Sequence, residues 1–81
     1  MPRQVKNIQD KDLLRLLNTL GENTKTLRQK AKLSQQKLAT ASGLATSTIS
    51  EIESGRAYNV QLATVTAIAR QLKIDPVKLL H

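Results

Sequence analysis

The run Gln35-Gln36-Lys37-Leu38-Ala39-Thr40-Ala41-Ser42-Gly43-Leu44-Ala45-Thr46-Ser47-Thr48-Ile49-Ser50-Glu51-Ile52-Glu53-Ser54 constrains this chain more than any other feature. Two helices that cross steeply over a tight turn demand particular residues at fixed offsets. The inner face of the first helix needs an apolar residue and then a small one, so that the second helix can approach. Leu38 and Ala39 stand there. The turn needs glycine, and Gly43 supplies it; the next residue must be apolar to plug the corner, and it is Leu44. The second helix needs apolar residues three apart, and Ile49 and Ile52 meet that demand.

The rest of the chain reads as helix too, because no segment alternates with period two and only three glycines and two prolines punctuate it. With 81 residues there is room for one domain with a thin core. Residues 1–9 are polar and basic and are expected to be a flexible segment, leaving 10–80 as a single helix-turn-helix domain with its motif at 35–54. From Asp10, a leucine stripe (Leu13, Leu14, Leu16, Leu17, Leu20) predicts a helix that Gly21 weakens or ends. A second helix follows over roughly 22–32, with Leu27 and Ala31 inward. Ser34 is placed to cap a third helix that stops near Ser42, with Gly43 in the left-handed conformation. A fourth covers about 46–53 and is closed by Gly55. Beyond the linker Arg56–Asn59, Asn59 is expected to cap a fifth helix over about 60–72, with Leu62, Val65, Ile68, Ala69 and Leu72 at helical spacing. Asp75-Pro76 opens a short last helix, and its Val77, Leu79 and Leu80 either form an interface or close the core.

Charge narrows the function. Thirteen Lys and Arg face six Asp and Glu, a net +7, which attracts polyanions. No acid lies between Glu22 and Glu51, while Lys25, Arg28, Lys30, Lys32 and Lys37 do; that run is either a solvated basic face or one that meets phosphates. Tyr58 is the only aromatic residue, so there is no base-stacking platform of the kind single-strand binders use, and duplex DNA is favoured. There is no cysteine, and His81 is the only histidine, so neither a metal site nor an enzyme is expected, and no cofactor. With no apolar run of about 18 residues and no signal-peptide pattern, the expectation is a cytoplasmic protein without a membrane partner.

The chain resembles the Cro and phage-repressor type of helix-turn-helix, the XRE-like regulators. The matching stretches are Leu20-Gly21, Leu27-Arg28, Leu33-Ser34-Gln35, Leu38-Ala39, Ser47-Thr48-Ile49-Ser50, Ile52-Glu53-Ser54-Gly55-Arg56 and Ile68-Ala69. The resemblance implies an all-α, compact five-helix lambda-repressor-like domain, here with the leucine helix as an extra N-terminal helix. It also implies binding of double-stranded DNA, as a homodimer on a palindromic operator. In that geometry the second motif helix enters the major groove, and its outward residues Thr46, Ser47, Ser50 and Glu51 contact bases. Glu51 either accepts from cytosine N4 or pairs with Arg56 or a lysine. The resemblance places Gln35 on a phosphate, where it steadies the recognition helix. Ser34, Gln36, Arg56, Tyr58 and Asn59 are the flanking backbone contacts, Tyr58 alternatively being a linker anchor packed on the core. None of these is a bidentate Arg–guanine or Gln–adenine reader, so DNA shape and water carry part of the specificity.

Three departures stand out. Ala45 occupies the capping position of the recognition helix, at a cost of about 1 kcal/mol unless Thr46 takes over. The linker from Gly55 to Leu62 is one residue longer than usual and lacks the common proline. The leucine helix lies ahead of the family's first helix; it covers the domain's own core, or extends a dimer or meets another protein, or lies on a membrane. The leading functional expectation is a transcriptional repressor. The alternative is the antitoxin of a toxin–antitoxin pair, with the leucine stripe meeting the toxin; a restriction–modification controller is a third variant that shares the DNA chemistry.

Overall fold

The computed structural model describes residues 10–81; the expected flexible segment 1–9 lies outside them. Five helices follow one another: α1 (Lys11–Lys30), α2 (Gln35–Ser42), α3 (Thr46–Glu53), α4 (Leu62–Leu72) and α5 (Pro76–Leu79). The all-α five-helix architecture therefore stands, with one change. The leucine stripe is not a separate helix: α1 runs for 20 residues straight through Gly21.

The reason lies across the domain. A Cβ on Gly21 would sit 2.5 Å from the carbonyl oxygen of Ile52 and 3.0 Å from that of Glu53. Glycine at this position lets the α1 backbone seat directly on the C-terminal end of α3. The roughly 1 kcal/mol that glycine costs a helix interior relative to alanine is offset by that contact. Asp10 starts α1, its Oδ1 accepting from the N–H groups of Asp12 (3.0 Å) and Leu13 (3.1 Å). The helix buries Leu17, Leu20, Gly21 and Thr24. Ala31, expected inward, is exposed because α1 has ended and Lys32 turns the chain with a left-handed φ of 59°.

The motif forms as its residues require. Ser34 caps α2 by accepting from the Lys37 N–H at 3.0 Å. Gly43 adopts φ 72°, and the Leu44 N–H closes the helix end on the Ala39 carbonyl at 2.8 Å. Leu38, Ala39, Ile49 and Ile52 are buried and join Leu20, Val65, Ile68, Ala69 and Leu79 in one core, with Leu44 packed against its edge. Ala45 leaves α3 without a side-chain cap, and Thr46 is the first helical residue rather than a substitute cap.

The linker departs from expectation. Asn59 is not the cap of α4; Gln61 precedes the helix and makes no side-chain capping bond. A turn closed by the Val60 N–H on the Ala57 carbonyl uses up these residues, so Val60 packs on the core and Leu62 is left 74% exposed instead of inward. Lys73, at φ 58°, ends α4. Asp75 then caps α5 through the Val77 N–H at 3.0 Å, with Pro76 first in the helix. Leu79 is fully buried and closes the core, Leu80 packs against it, and Val77 points out at 67% exposure. Asn23 of α1 ties down the last turn by donating to the carbonyls of Lys78 (3.2 Å) and Leu79 (3.0 Å). No helix of the described residues is long and apolar enough to cross a membrane.

Two stability predictions follow from α1. Gly21→Ala should destabilise by about 1–3 kcal/mol through overpacking, reversing the usual gain from alanine in a helix; urea denaturation checks the sign. Thr24 is 0% exposed, and its hydroxyl has no hydrogen-bond partner among the described residues. Thr24→Val replaces an orphaned buried hydroxyl with a methyl group of nearly the same shape. It should therefore raise the unfolding free energy by about 1 kcal/mol, read as a higher urea midpoint.

Candidate nucleic-acid interface

Three chain segments meet at the carboxylate of Glu53, and their meeting sets the orientation of α3. Arg28, in the last turn of α1, donates from Nε to Glu53 Oε2 at 2.6 Å and from Nη2 to Oε1 at 3.1 Å. Its Nη1 reaches the Leu33 carbonyl at 2.8 Å, holding the connection into α2. Gln35, the first residue of α2, donates from Nε2 to Glu53 Oε1 at 3.0 Å. The paired side chains are only 12% and 4% exposed. Glu53 stands at the C-terminal end of α3, where the helix dipole disfavours an acid, and the guanidinium neutralises it there. Hydrogen bonding to Glu53 raises the Arg28 pKa above its usual value; burial opposes the rise and the Coulombic attraction of the same carboxylate adds to it.

This arrangement corrects one expectation and gives another a physical basis. Arg28 belongs to the acid-free basic run, yet its charge is turned inward and spent on Glu53. Gln35 is half-buried, and its side-chain amide engages Glu53. The steadying of the recognition helix attributed to Gln35 thus has a direct physical route. The sequence signal for the ion pair was present in outline: each charge directly follows a residue of the packed interior, Leu27 and Ile52 respectively, so both stand at the core's edge.

The other side of α3 is open. While Ile49 and Ile52 are fully buried, Thr46, Ser47, Ser50 and Glu51 are exposed. Thr46 and Ser50, like Ser47 and Glu51, are spaced four apart, so the four make one contiguous patch. Ser34 and Gln36 are exposed at the start of α2, and Lys37 follows them. Beside this patch, and sharing Glu51 with it, a concavity of about 360 Å³ is bounded by Thr48, Glu51, Arg56, Tyr58 and Asn59. Arg56 and Asn59 are exposed, whereas Tyr58 is half-buried in that wall. Arg56 does not pair with Glu51; its Nε donates to Ser54 Oγ at 3.2 Å. Among the described residues Glu51 makes no ion pair. Lys25, Lys30 and Lys32 are exposed as well.

A buried pair of short helices, a glycine corner and an outward polar second helix define a helix-turn-helix domain. The helix-turn-helix family profile matches residues 25–79, and the chain belongs to that family of transcriptional regulators, in its Cro/C1-type, XRE-like branch. It is 38% identical over 58 residues to the HTH-type transcriptional repressor RghR of Bacillus subtilis (strain 168), a match covering 72% of this chain and 43% of that protein. The chain thus spans less than half the length of this curated relative. Its structure is similar to that of the restriction-modification controller protein C.AhdI from Aeromonas hydrophila, with a TM-score of 0.73 and 36% identity over 78% of this chain and 94% of that one. It is also similar to the hypothetical transcription factor NHTF from Neisseria, with a TM-score of 0.78 and 27% identity over 100% of this chain and 86% of that one.

Removing one partner of the ion pair should be far worse than removing both. Arg28→Met leaves Glu53 buried and unpaired and should cost about 3–5 kcal/mol. The double change Arg28→Met with Glu53→Leu should recover most of that loss in the same urea titration.

Proposed function

We propose that this chain is a sequence-specific repressor that binds double-stranded DNA as a dimer on a palindromic operator. The observation that carries the reading is the division of α3. Its inner side is locked into the core, and its outer side presents Thr46, Ser47, Ser50 and Glu51 with nothing among the described residues covering them. An α-helix presented in this way fits the major groove, with its N-terminal part against base edges. Hydroxyls of Thr46, Ser47 and Ser50 serve either donors or acceptors there, and the Thr46 methyl suits a thymine methyl.

Ser34, Gln35, Gln36, Arg56, Tyr58 and Asn59 are the proposed contacts to the DNA backbone. Their role is to fix register without reading sequence. Gln35 acts largely through its hold on Glu53, and the exposed Lys25, Lys30, Lys32 and Lys37 add sequence-independent attraction. Pairing of two copies is assigned to the exposed Val77 of α5, since Leu79 is committed to the core. An antitoxin role has less to stand on, because Leu17 and Leu20 of the leucine stripe are buried within the domain and Leu16 is left 44% exposed.

Selection of bound sequences from random duplexes tests this reading. A palindromic sequence should be enriched, and affinity for it should fall steeply with salt. Ser47→Ala should relax the preference at one position of each half-site by roughly tenfold. Lys37→Ala should weaken all sequences alike and lower the salt slope by about one. Failure to enrich any sequence would remove the reading.

A further inference from the structure

The outward side of α3 carries no lysine, arginine, asparagine or glutamine, and its one charged group is Glu51. On a chain of net charge +7 this is an unusual group to aim at a polyanion. The carboxylate is exposed and makes no ion pair among the described residues, and Arg56, which shares the wall of the adjoining concavity, is engaged with Ser54 instead. The other acid of the helix, Glu53, is already neutralised by Arg28. Among the described residues nothing compensates the charge of Glu51, which therefore meets a bound duplex as an acceptor.

An ionised carboxylate can only accept hydrogen bonds. In the major groove guanine N7 and O6, adenine N7 and thymine O4 are all acceptors and repel it; the donors are cytosine N4 and adenine N6. Adenine N6 is flanked by acceptors on both sides, its own N7 and O4 of the paired thymine, while cytosine N4 has an acceptor on one side only, O6 of the paired guanine, and an apolar C5–H edge on the other. Cytosine thus offers the donor that is least hemmed in by repulsive atoms.

We propose that Glu51 reads an unmodified cytosine through N4–H, and that methylation at N4 of this base blocks binding. This rests on the DNA-binding reading above. The amino group has two hydrogens: one pairs with guanine, and the other projects into the major groove. A methyl group that preserves base pairing must replace the second. It removes the only hydrogen Glu51 can accept and leaves the carboxylate facing an apolar group beside the phosphates. Selectivity at this position comes chiefly from exclusion. Glu51 penalises every wrong base by repulsion, and it lowers the affinity of the protein for DNA in general.

The test uses the full chain and the duplex selected above, with each cytosine replaced in turn by N4-methylcytosine. At one cytosine of each half-site the modification should weaken wild-type binding by roughly tenfold, and Glu51→Ala should be indifferent to it. Glu51→Gln, whose amide both donates and accepts, should bind non-operator duplex several-fold more tightly and accept adenine at the cytosine position. Glu51 is exposed, so both variants should keep the wild-type unfolding midpoint. Absence of any sensitive cytosine would overturn the proposal, and so would an equal penalty in Glu51→Ala, or unchanged or weaker non-operator binding by Glu51→Gln. A wild-type chain that selects no sequence at all would instead overturn the DNA-binding reading on which the proposal rests.

Discussion

The placement of α3 depends on the two-pronged ion pair between Arg28 and Glu53. Its guanidinium gathers the end of α1, the Leu33 carbonyl and the last residue of α3, and Gln35 adds the start of α2 to the same carboxylate. A buried pair of this kind gives little net stability once desolvation is counted. What it supplies is geometry, because bidentate Arg–carboxylate contacts tolerate little misorientation. The close seat of Gly21 on the Ile52 and Glu53 carbonyls fixes the same end of α3 a second time. The helix is thus clamped at its C-terminus, and its N-terminal part projects from a fixed base.

A thin core makes the length of α1 useful. One continuous helix carries Leu17 and Leu20 into the core, Gly21 against α3, Arg28 onto Glu53 and Asn23 onto α5. Elements distant in sequence are each tied to this single rod. A break at Gly21 would have separated the leucines from the ion pair and left their relative angle to packing alone. The leucine segment is therefore part of the scaffold that positions the motif, and its Leu17 and Leu20 are taken up inside the domain.

What was legible in the sequence was what local chemistry decides. Ser34, Gly43 and Asp75-Pro76 act on neighbours within a few residues, and each did what its type implies. The exposed set Thr46, Ser47, Ser50 and Glu51 follows from helical periodicity around Ile49 and Ile52. Gly21 was misread because its role depends on carbonyls far along the chain, a close approach that no local pattern reveals. Arg28 looked like one more surface cation because its partner lies 25 residues away. The linker misled for another reason: with no proline to set the start of α4, a turn at residues 57–60 moved the helix start and exchanged Val60 for Leu62 at the core edge. Which bases and phosphates the outward residues meet is a property of the complex, and neither periodicity nor packing within the domain determines it.

The bare start of α3 has a thermodynamic meaning of its own. Ser34 holds the first turn of α2 through a side-chain bond, whereas Ala45 offers α3 nothing comparable. Local opening free energies vary along a chain with such details, so the turn containing Thr46 and Ser47 opens more readily than its counterpart in α2. Together with the clamp at Glu53, this grades the helix from a rigid heel to a compliant toe. In the DNA-binding reading proposed above, a turn that opens more readily would be held in place in part by the contact itself. A surface that finishes folding against its ligand gains tolerance for small differences in groove shape, at the expense of some affinity.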